Sequence, residues 1–240
     1  MFITFKKWTA LYVLCFVLLF AAFAAILWRG GAVNASKNVV LEGGGPALLI
    51  DPGHGGEDGG AVAADGATEA EINLAVSLEL ESLARLLGVD AAMTRREDVS
   101  LGDPALPTVR QRKTDDLKNR TEAANALPEA VTISIHQNTL PGFPEVHGAQ
   151  VFHGGGERSA RLAQAVQDAL NAAVNDAAKE IKTAQGVYLL SHAQGTAVLV
   201  ECGFLSNSRE TAALKTEDHQ KRLAVSILAP TLAFLTAEEG

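Results

Sequence analysis

Four residues of this sequence carry side chains that bind metal ions or transfer protons, and each follows an apolar run or opens a predicted helix: His54, Glu69, His136 and Glu201. Two imidazoles and a carboxylate bind Zn²⁺ while leaving its fourth position open to water, as in catalytic zinc sites. A second carboxylate that is not tied to the metal can act as a general base. These residue types predict a hydrolytic metal site.

The apolar runs before three of these residues are typical of buried β-strands. The runs cover residues 47–50, 131–135 and 196–200. Helical patterns lie between the runs, which favours a parallel sheet whose strands end at one common edge. We therefore expect His54, His136 and Glu201 at this edge. The glycine-rich residues 55–68 can fold Glu69 back over His54.

The remaining pattern predicts a single α/β domain with a mostly parallel central sheet of about six strands, flanked by helices. Thr68 and Glu71 form a capping-box signal for a helix over 69–87. The other expected helices cover 111–127, which should present a charged face, 157–174, 208–214 and 216–235, with a kink at Pro230. Further strands are expected at 89–94, 148–153 and 186–190.

The first residues of the chain predict a membrane anchor. Residues 8–28 carry no charge and, as a helix, would span about 32 Å, enough to cross a bilayer core. Lys6 and Lys7 favour a cytoplasmic N-terminus. We thus expect a cytoplasmic segment 1–7, a transmembrane helix 8–28, a linker 29–46 and an extracytoplasmic catalytic domain 47–237. The alternative is a cleaved signal, with residues 33–35 as the cleavage site and a secreted product.

Composition excludes several classes of protein. A net charge of −8 and a hydrophobic content of 48% argue against a nucleic-acid-binding protein and against disorder. Two cysteines provide no disulfide framework. Cys202 is expected to be a small buried side chain. The other histidines are expected on the surface or in polar contacts: His147, His153, His192 and His219.

Several ordered motifs extend over most of the chain after residue 47. They are Asp51-Pro52-Gly53-His54-Gly55-Gly56, Glu69 with Ile72-Asn73-Leu74, Met93-Thr94-Arg95, Ser134-Ile135-His136-Gln137-Asn138 and Val200-Glu201-Cys202-Gly203-Phe204. With these motifs the sequence resembles the zinc-dependent N-acetylmuramoyl-L-alanine amidases of the amidase type 3 family. The resemblance implies one Zn²⁺ on His54, Glu69 and His136, with Glu201 as the catalytic residue. Its substrate would be peptidoglycan, cleaved between the lactyl group of muramic acid and L-alanine of the stem peptide.

Within that family the sequence is most similar to the germination-specific amidases of spore formers. This resemblance implies action on spore-cortex peptidoglycan as the first step toward muramic-δ-lactam. A muramic acid deacetylase would act on the product, and an activator protein is a further expected partner.

Other interpretations remain open from the sequence. One is a catalytically silent peptidoglycan-binding or regulatory module on the same fold. Another is a different zinc hydrolase of peptidoglycan, such as a carboxypeptidase, and a divalent metal other than zinc is also compatible with the residues. Asp51 or Asp58 would orient His54 as an outer partner.

Overall fold

The computed structural model describes residues 47–237. In this part of the chain the strands are β1 (Leu48–Pro52), β2 (Ala91–Met93), β3 (Val131–Asn138), β4 (Gln150–His153), β5 (Lys182–Thr183) and β6 (Ala197–Phe204). The helices are α1 (Glu69–Leu86), α2 (Val109–Asn125), α3 (Glu157–Ala173), α4 (Tyr188–His192), α5 (Ser208–Leu214) and α6 (Glu217–Ala237), which contains Pro230.

The strands form one sheet in the order β2-β1-β3-β6-β4-β5. The first four of these strands run parallel, β4 is antiparallel to β6, and β5 is parallel to β4. This arrangement confirms the predicted α/β domain with a mostly parallel, six-stranded sheet. It also makes β1, β3 and β6 direct neighbours, so the residues at their carboxyl ends lie at the same edge.

Alternation along β6 distributes the core over both faces of the sheet. Val198 and Val200 belong to the main apolar cluster, to which α1, α3 and α6 contribute. Ala197 and Leu199 point to the opposite face and pack with Leu189 of α4. Strand side chains alternate between the two faces of a sheet, so apolar residues of β6 are buried on both faces, as in other parallel sheets.

Helix α1 begins where its capping residues predict. The Thr68 side chain accepts a hydrogen bond from the Glu71 N–H, and the Glu71 side chain accepts one from the Thr68 N–H. Ile72, Val76 and Leu80 then lie buried along one face of the helix. The capping box fixes the first turn of the helix, so Glu69 is its first residue and lies near the carboxyl edge of the sheet.

The prediction of a strand at residues 186–190 is wrong. Residues 188–192 form the short helix α4, and the outer strand β5 lies earlier, at Lys182–Thr183. A short apolar run fits a buried helix turn as well as a strand, and here Leu189 and Leu190 are buried by packing against the sheet. Tertiary packing therefore determined that this segment is a helix and not a strand.

The predicted cytoplasmic segment 1–7, transmembrane helix 8–28 and linker 29–46 lie outside the described residues. None of the helices between residues 47 and 237 combines the length and the apolar character that crossing a membrane requires.

Candidate metal centre

His54 lies on the loop after β1, close to the first helical residue, Glu69. Its Nε2 atom is 3.2 Å from Glu69 Oε1. The ring of His136 on β3 lies nearly at right angles to that of His54, with the ring centroids 5.2 Å apart. The two imidazoles therefore converge on the same carboxylate.

Glu69 is the centre of this polar cluster. Its Oε1 atom is 3.0 Å from His136 Nδ1 and also accepts a hydrogen bond from the Gln137 N–H at 3.1 Å. Its Oε2 atom accepts one from the Ala61 N–H at 2.9 Å. Burial acts to raise the pKa of Glu69, but its hydrogen bonds with His136 and His54 hold it well below the usual range. Glu69 is thus a fixed carboxylate.

The three side chains offer one ligand atom each within 4.8 Å of one another. Ligand atoms around a tetrahedral Zn²⁺ lie about 3.3 Å apart, given Zn–N and Zn–O bonds of about 2.0–2.1 Å. The separations of 3.0 and 3.2 Å between Glu69 Oε1 and the two imidazoles are close to this value. The donor set of two histidines and one glutamate fits one divalent cation, and three protein ligands are the number typical of catalytic zinc sites.

Glu201 lies beside the cluster because β6 pairs with β3 in parallel register, which aligns Glu201 with His136. Its Oε2 atom is buried and has no hydrogen-bond partner among the described residues. Burial raises the pKa of the Glu201 carboxyl to about 7, with His136 opposing the shift and Glu69 adding to it. An unpartnered carboxyl with a pKa near neutrality can accept a proton during catalysis.

Two details of the strands differ from the sequence-based expectation. His136 and Glu201 lie within their strands and not at the last residues, since β3 continues to Asn138 and β6 to Phe204. The register changes after His136, so that Asn138 pairs with Phe204. Irregularities of this kind are frequent beside active sites, where they redirect side chains.

Glycines permit the close approach of backbone to these side chains. A Cβ atom on Gly53 would lie 2.2 Å from atoms of the His136 ring. Gly60, with φ at +69°, would place a Cβ atom 2.6 Å from Glu69 Oε2. The glycine-rich motif therefore makes room for the metal-site residues, which local sequence spacing alone does not show.

Asp58 is the outer partner of His54. Its Oδ2 atom is 2.8 Å from His54 Nδ1 and 3.1 Å from Lys113 Nζ. Burial acts to lower the pKa of His54, but Asp58 and Glu69 raise it to about 9. Asp51 bonds instead to Thr94 and Ser134. Of the two aspartates considered from the sequence, Asp58 is the one that contacts the imidazole.

Asn73 connects two of the site segments, and sequence reasoning gave it no role. Its amide donates to the Gly53 carbonyl oxygen at 3.1 Å and to Glu69 Oε1 at 3.4 Å. Gln137 Nε2 donates to its Oδ1 atom at 3.2 Å. The available signal was its position four residues after Glu69, which places this polar side chain on the apolar face of α1.

Helix α2 presents the expected charged face, with Arg110, Lys113 and Lys118 exposed, but not all of its charged side chains belong to that face. Asp116 and Arg120 of this helix are buried, as is Arg95 in the segment after β2. Sequence periodicity cannot distinguish a buried ion pair from a solvated one, since both use the same residue types.

The remaining histidines lie outside the cluster. His147 and His192 are exposed, His219 is half-buried, and His153 is buried on β4. The prediction for Cys202 is confirmed, since it is a free and fully buried thiol. Burial raises the pKa of that thiol above its ordinary value, which disfavours the nucleophilic thiolate.

The fold and cluster define a class of α/β enzymes with a polar site at the carboxyl edge of parallel strands. The Amidase_3 family model, described as N-acetylmuramoyl-L-alanine amidase, matches residues 48–230. A germination-specific N-acetylmuramoyl-L-alanine amidase of Bacillus subtilis strain 168 is 32% identical over 197 residues, which cover 82% of each chain.

Solved structures of such amidases share the fold. The CwlD amidase from Clostridioides difficile, in complex with the GerS lipoprotein, is 33% identical with a TM-score of 0.76, over 80% of this chain and 99% of that one. An N-acetylmuramoyl-L-alanine amidase from Clostridium difficile 630 is 25% identical with a TM-score of 0.70, over 81% and 98% of the two chains. The chain belongs to the N-acetylmuramoyl-L-alanine amidase family and is an enzyme of that kind.

Proposed function

We propose that this amidase works with one Zn²⁺ held by His54, Glu69 and His136, and that Glu201 is its catalytic base. The observation that carries the proposal is the alignment of Glu201 with His136 on adjacent strands, beside a three-residue cluster that fits a cation. The unpartnered Glu201 Oε2 atom supports this role, because a buried carboxylate oxygen without a donor is costly unless a ligand or water satisfies it.

The reaction is hydrolysis of the amide between the lactyl carbonyl of muramic acid and the nitrogen of L-alanine. When bound, the zinc ion supplies polarisation of the carbonyl and activation of water. Glu201 takes a proton from the attacking water and delivers it to the nitrogen of the leaving L-alanine. Asp58 and Asn73 hold His54 and Glu69 in place during this transfer.

The experiment compares the wild-type enzyme with Glu201→Gln and with Glu217→Gln, an exposed carboxylate on α6 that serves as the matched control. Zinc content is measured by mass spectrometry, and new L-alanine N-termini are counted after incubation with peptidoglycan. Glu201→Gln should retain about one zinc per chain and lose activity by about 10²–10⁴-fold, whereas Glu217→Gln should match the wild type. Activity retained in Glu201→Gln would contradict the assignment.

We also propose a role for this enzyme in spore-cortex peptidoglycan, where its product would lead to muramic-δ-lactam after a deacetylase acts. Its similarity to a germination-specific amidase supports this role. Muropeptide analysis of spores from a deletion strain of the producing organism tests this role. Muramic-δ-lactam at wild-type levels in those spores would contradict it.

The membrane anchor at residues 8–28 and an activator protein are further parts of this proposal. The apolar segment supports attachment to the outer side of the cytoplasmic membrane. A relative solved in complex with a lipoprotein supports a protein partner. Membrane fractionation of the full chain, with salt and detergent extraction, tests the anchor, since an embedded apolar segment resists high salt and is released by detergent. Recovery of the chain in the soluble fraction would contradict it.

A further inference from the structure

The backbone at His54 adopts a conformation that side chains other than glycine rarely take. Across residues 47–237, His54 is the one non-glycine residue with a positive φ angle, at 60°. Such strain persists where the surrounding structure over-determines it. In this conformation the His54 ring lies between Asp58 and Glu69, with its two nitrogens facing one carboxylate each.

Two buried arginines bind the main chain of this segment. Arg120 of α2 donates from Nη2 to the His54 carbonyl oxygen at 2.6 Å and from Nη1 to the Pro52 carbonyl oxygen at 2.7 Å. Arg95 donates from Nε to the Pro52 carbonyl at 2.9 Å and from Nη2 to the Gly53 carbonyl at 2.9 Å. The three consecutive carbonyl groups from Pro52 to His54 are thus all bound by guanidinium groups.

Carboxylates fix the Arg120 guanidinium in turn. Its Nε and Nη2 atoms donate to Asp116 at 2.6 and 3.2 Å, and its Nη1 atom donates to Asp51 at 2.7 Å. Together with its two carbonyl contacts, these bonds use all of the N–H donors of a guanidinium. A lysine ammonium has three hydrogens on a single atom and cannot reproduce this planar pattern.

We propose that Arg120, together with Arg95, is a positioning residue of the metal centre. Arg120 binds the carbonyl oxygen of the left-handed residue His54, and Arg95 binds those of Pro52 and Gly53 before it. Together the two guanidinium groups fix this segment and so direct the His54 imidazole to the position shared with Glu69 and His136. This inference rests on the proposed function, because it concerns the cation proposed there. A purely structural role, in which Arg120 only joins Asp51 and Asp116 in the core, makes a different prediction for metal binding.

The test uses the purified full chain and the variants Arg120→Lys and Arg95→Lys. Arg112→Lys is the matched control, because Arg112 lies on the same helix but bonds to the Glu57 carboxylate and the Leu106 carbonyl oxygen. Zn²⁺ affinity is measured by competition with a chromophoric chelator, and Co²⁺ as a probe reports ligand geometry through its visible absorption. We expect both test variants to bind Zn²⁺ at least about 10-fold more weakly, with an altered Co²⁺ spectrum, and the control to match the wild type.

Each other outcome has a defined meaning. Test variants that remain folded and bind both ions as the wild type does would overturn the positioning role and leave the metal centre intact. A wild-type chain that binds neither ion would overturn the metal centre, and the positioning role with it. Far-UV circular dichroism checks folding at the assay temperature. Loss of folding in both test variants would also overturn the inference, because the arginines would then stabilise the whole domain.

Discussion

His136 and Glu201 are aligned partners on the adjacent parallel strands β3 and β6. This register places the imidazole of a proposed metal ligand and a carboxyl with a buried oxygen atom side by side on rigid elements. Sites built on strands hold their geometry better than sites built on loops, and proton transfer requires such constancy. His54 is the one proposed ligand that does not lie on a regular element, and two arginines bind its loop, Arg120 at the His54 carbonyl oxygen and Arg95 at the Gly53 carbonyl oxygen.

The first prediction concerns the pH dependence of activity. A general base must be ionised, so kcat/KM should fall about tenfold per pH unit on the acid side of the Glu201 pKa. Burial raises that pKa to about 7, and a bound cation favours the carboxylate, so the midpoint should lie between about 4.5 and 7. Stopped assays from pH 4 to 9, with zinc content determined at each pH, give the profile. Activity that stays constant down to pH 4 would contradict the role of Glu201.

The second prediction concerns stability of the metal-free protein. The folded state raises the pKa of Glu201 from 4.5 to about 7, so this residue favours folding below pH 4.5 and loses that contribution as pH rises through 7. Glu201→Gln removes the buried charge and should raise the free energy of unfolding at pH 8 by about 1–3 kcal/mol relative to wild type.

Chemical denaturation in the presence of a chelator, at pH 4 and pH 8, measures this difference. The stabilisation should be much smaller at pH 4, where the wild-type carboxyl is protonated. Equal effects at both pH values would show that the substitution acts through packing and not through charge.

The third prediction concerns Gly53. A methyl group there would lie 2.2 Å from the His136 ring, so Gly53→Ala should displace this ring and weaken zinc binding by more than about tenfold. Gly59→Ala is the control, because its Cβ atom would meet Thr68 Cγ2 at an ordinary 3.5 Å. Zinc titration of both variants distinguishes them, and equal affinities would show that the His136 ring adapts to the added methyl group.

The fourth prediction concerns Asp58. Asp58→Ala removes the acceptor of His54 Nδ1, so the imidazole loses its fixed orientation and zinc affinity should fall by about 10–100-fold. Asp65→Ala, on the same loop but without contact to His54, should leave affinity unchanged. Competition titrations give both values. If the two variants lose affinity equally, the effect comes from loop stability and not from the hydrogen bond to His54.

Much of the fold follows from local signals in the sequence. The capping residues before Glu69 and the β-branched run at 131–135 predict α1 and β3 because both depend on neighbours along the chain. The parallel arrangement follows from the alternation of strands and helices, and it brings His54, His136 and Glu201 to one edge. The short apolar run at 186–190 predicts a strand, which is wrong, because packing against the sheet decides between helix and strand there.

The sequence by itself determined the fold class, the family and the four residues that meet at the sheet edge, because periodicity, capping and ordered motifs are local properties. Only the tertiary structure decided which charged residues are buried around them. Arg95 and Arg120 are distant in sequence from the Pro52–His54 segment, and their bonds to its carbonyl groups form because the tertiary structure places α2 and the segment after β2 beside the loop that follows β1. Burial depends on such long-range contacts, so residue type alone cannot predict it.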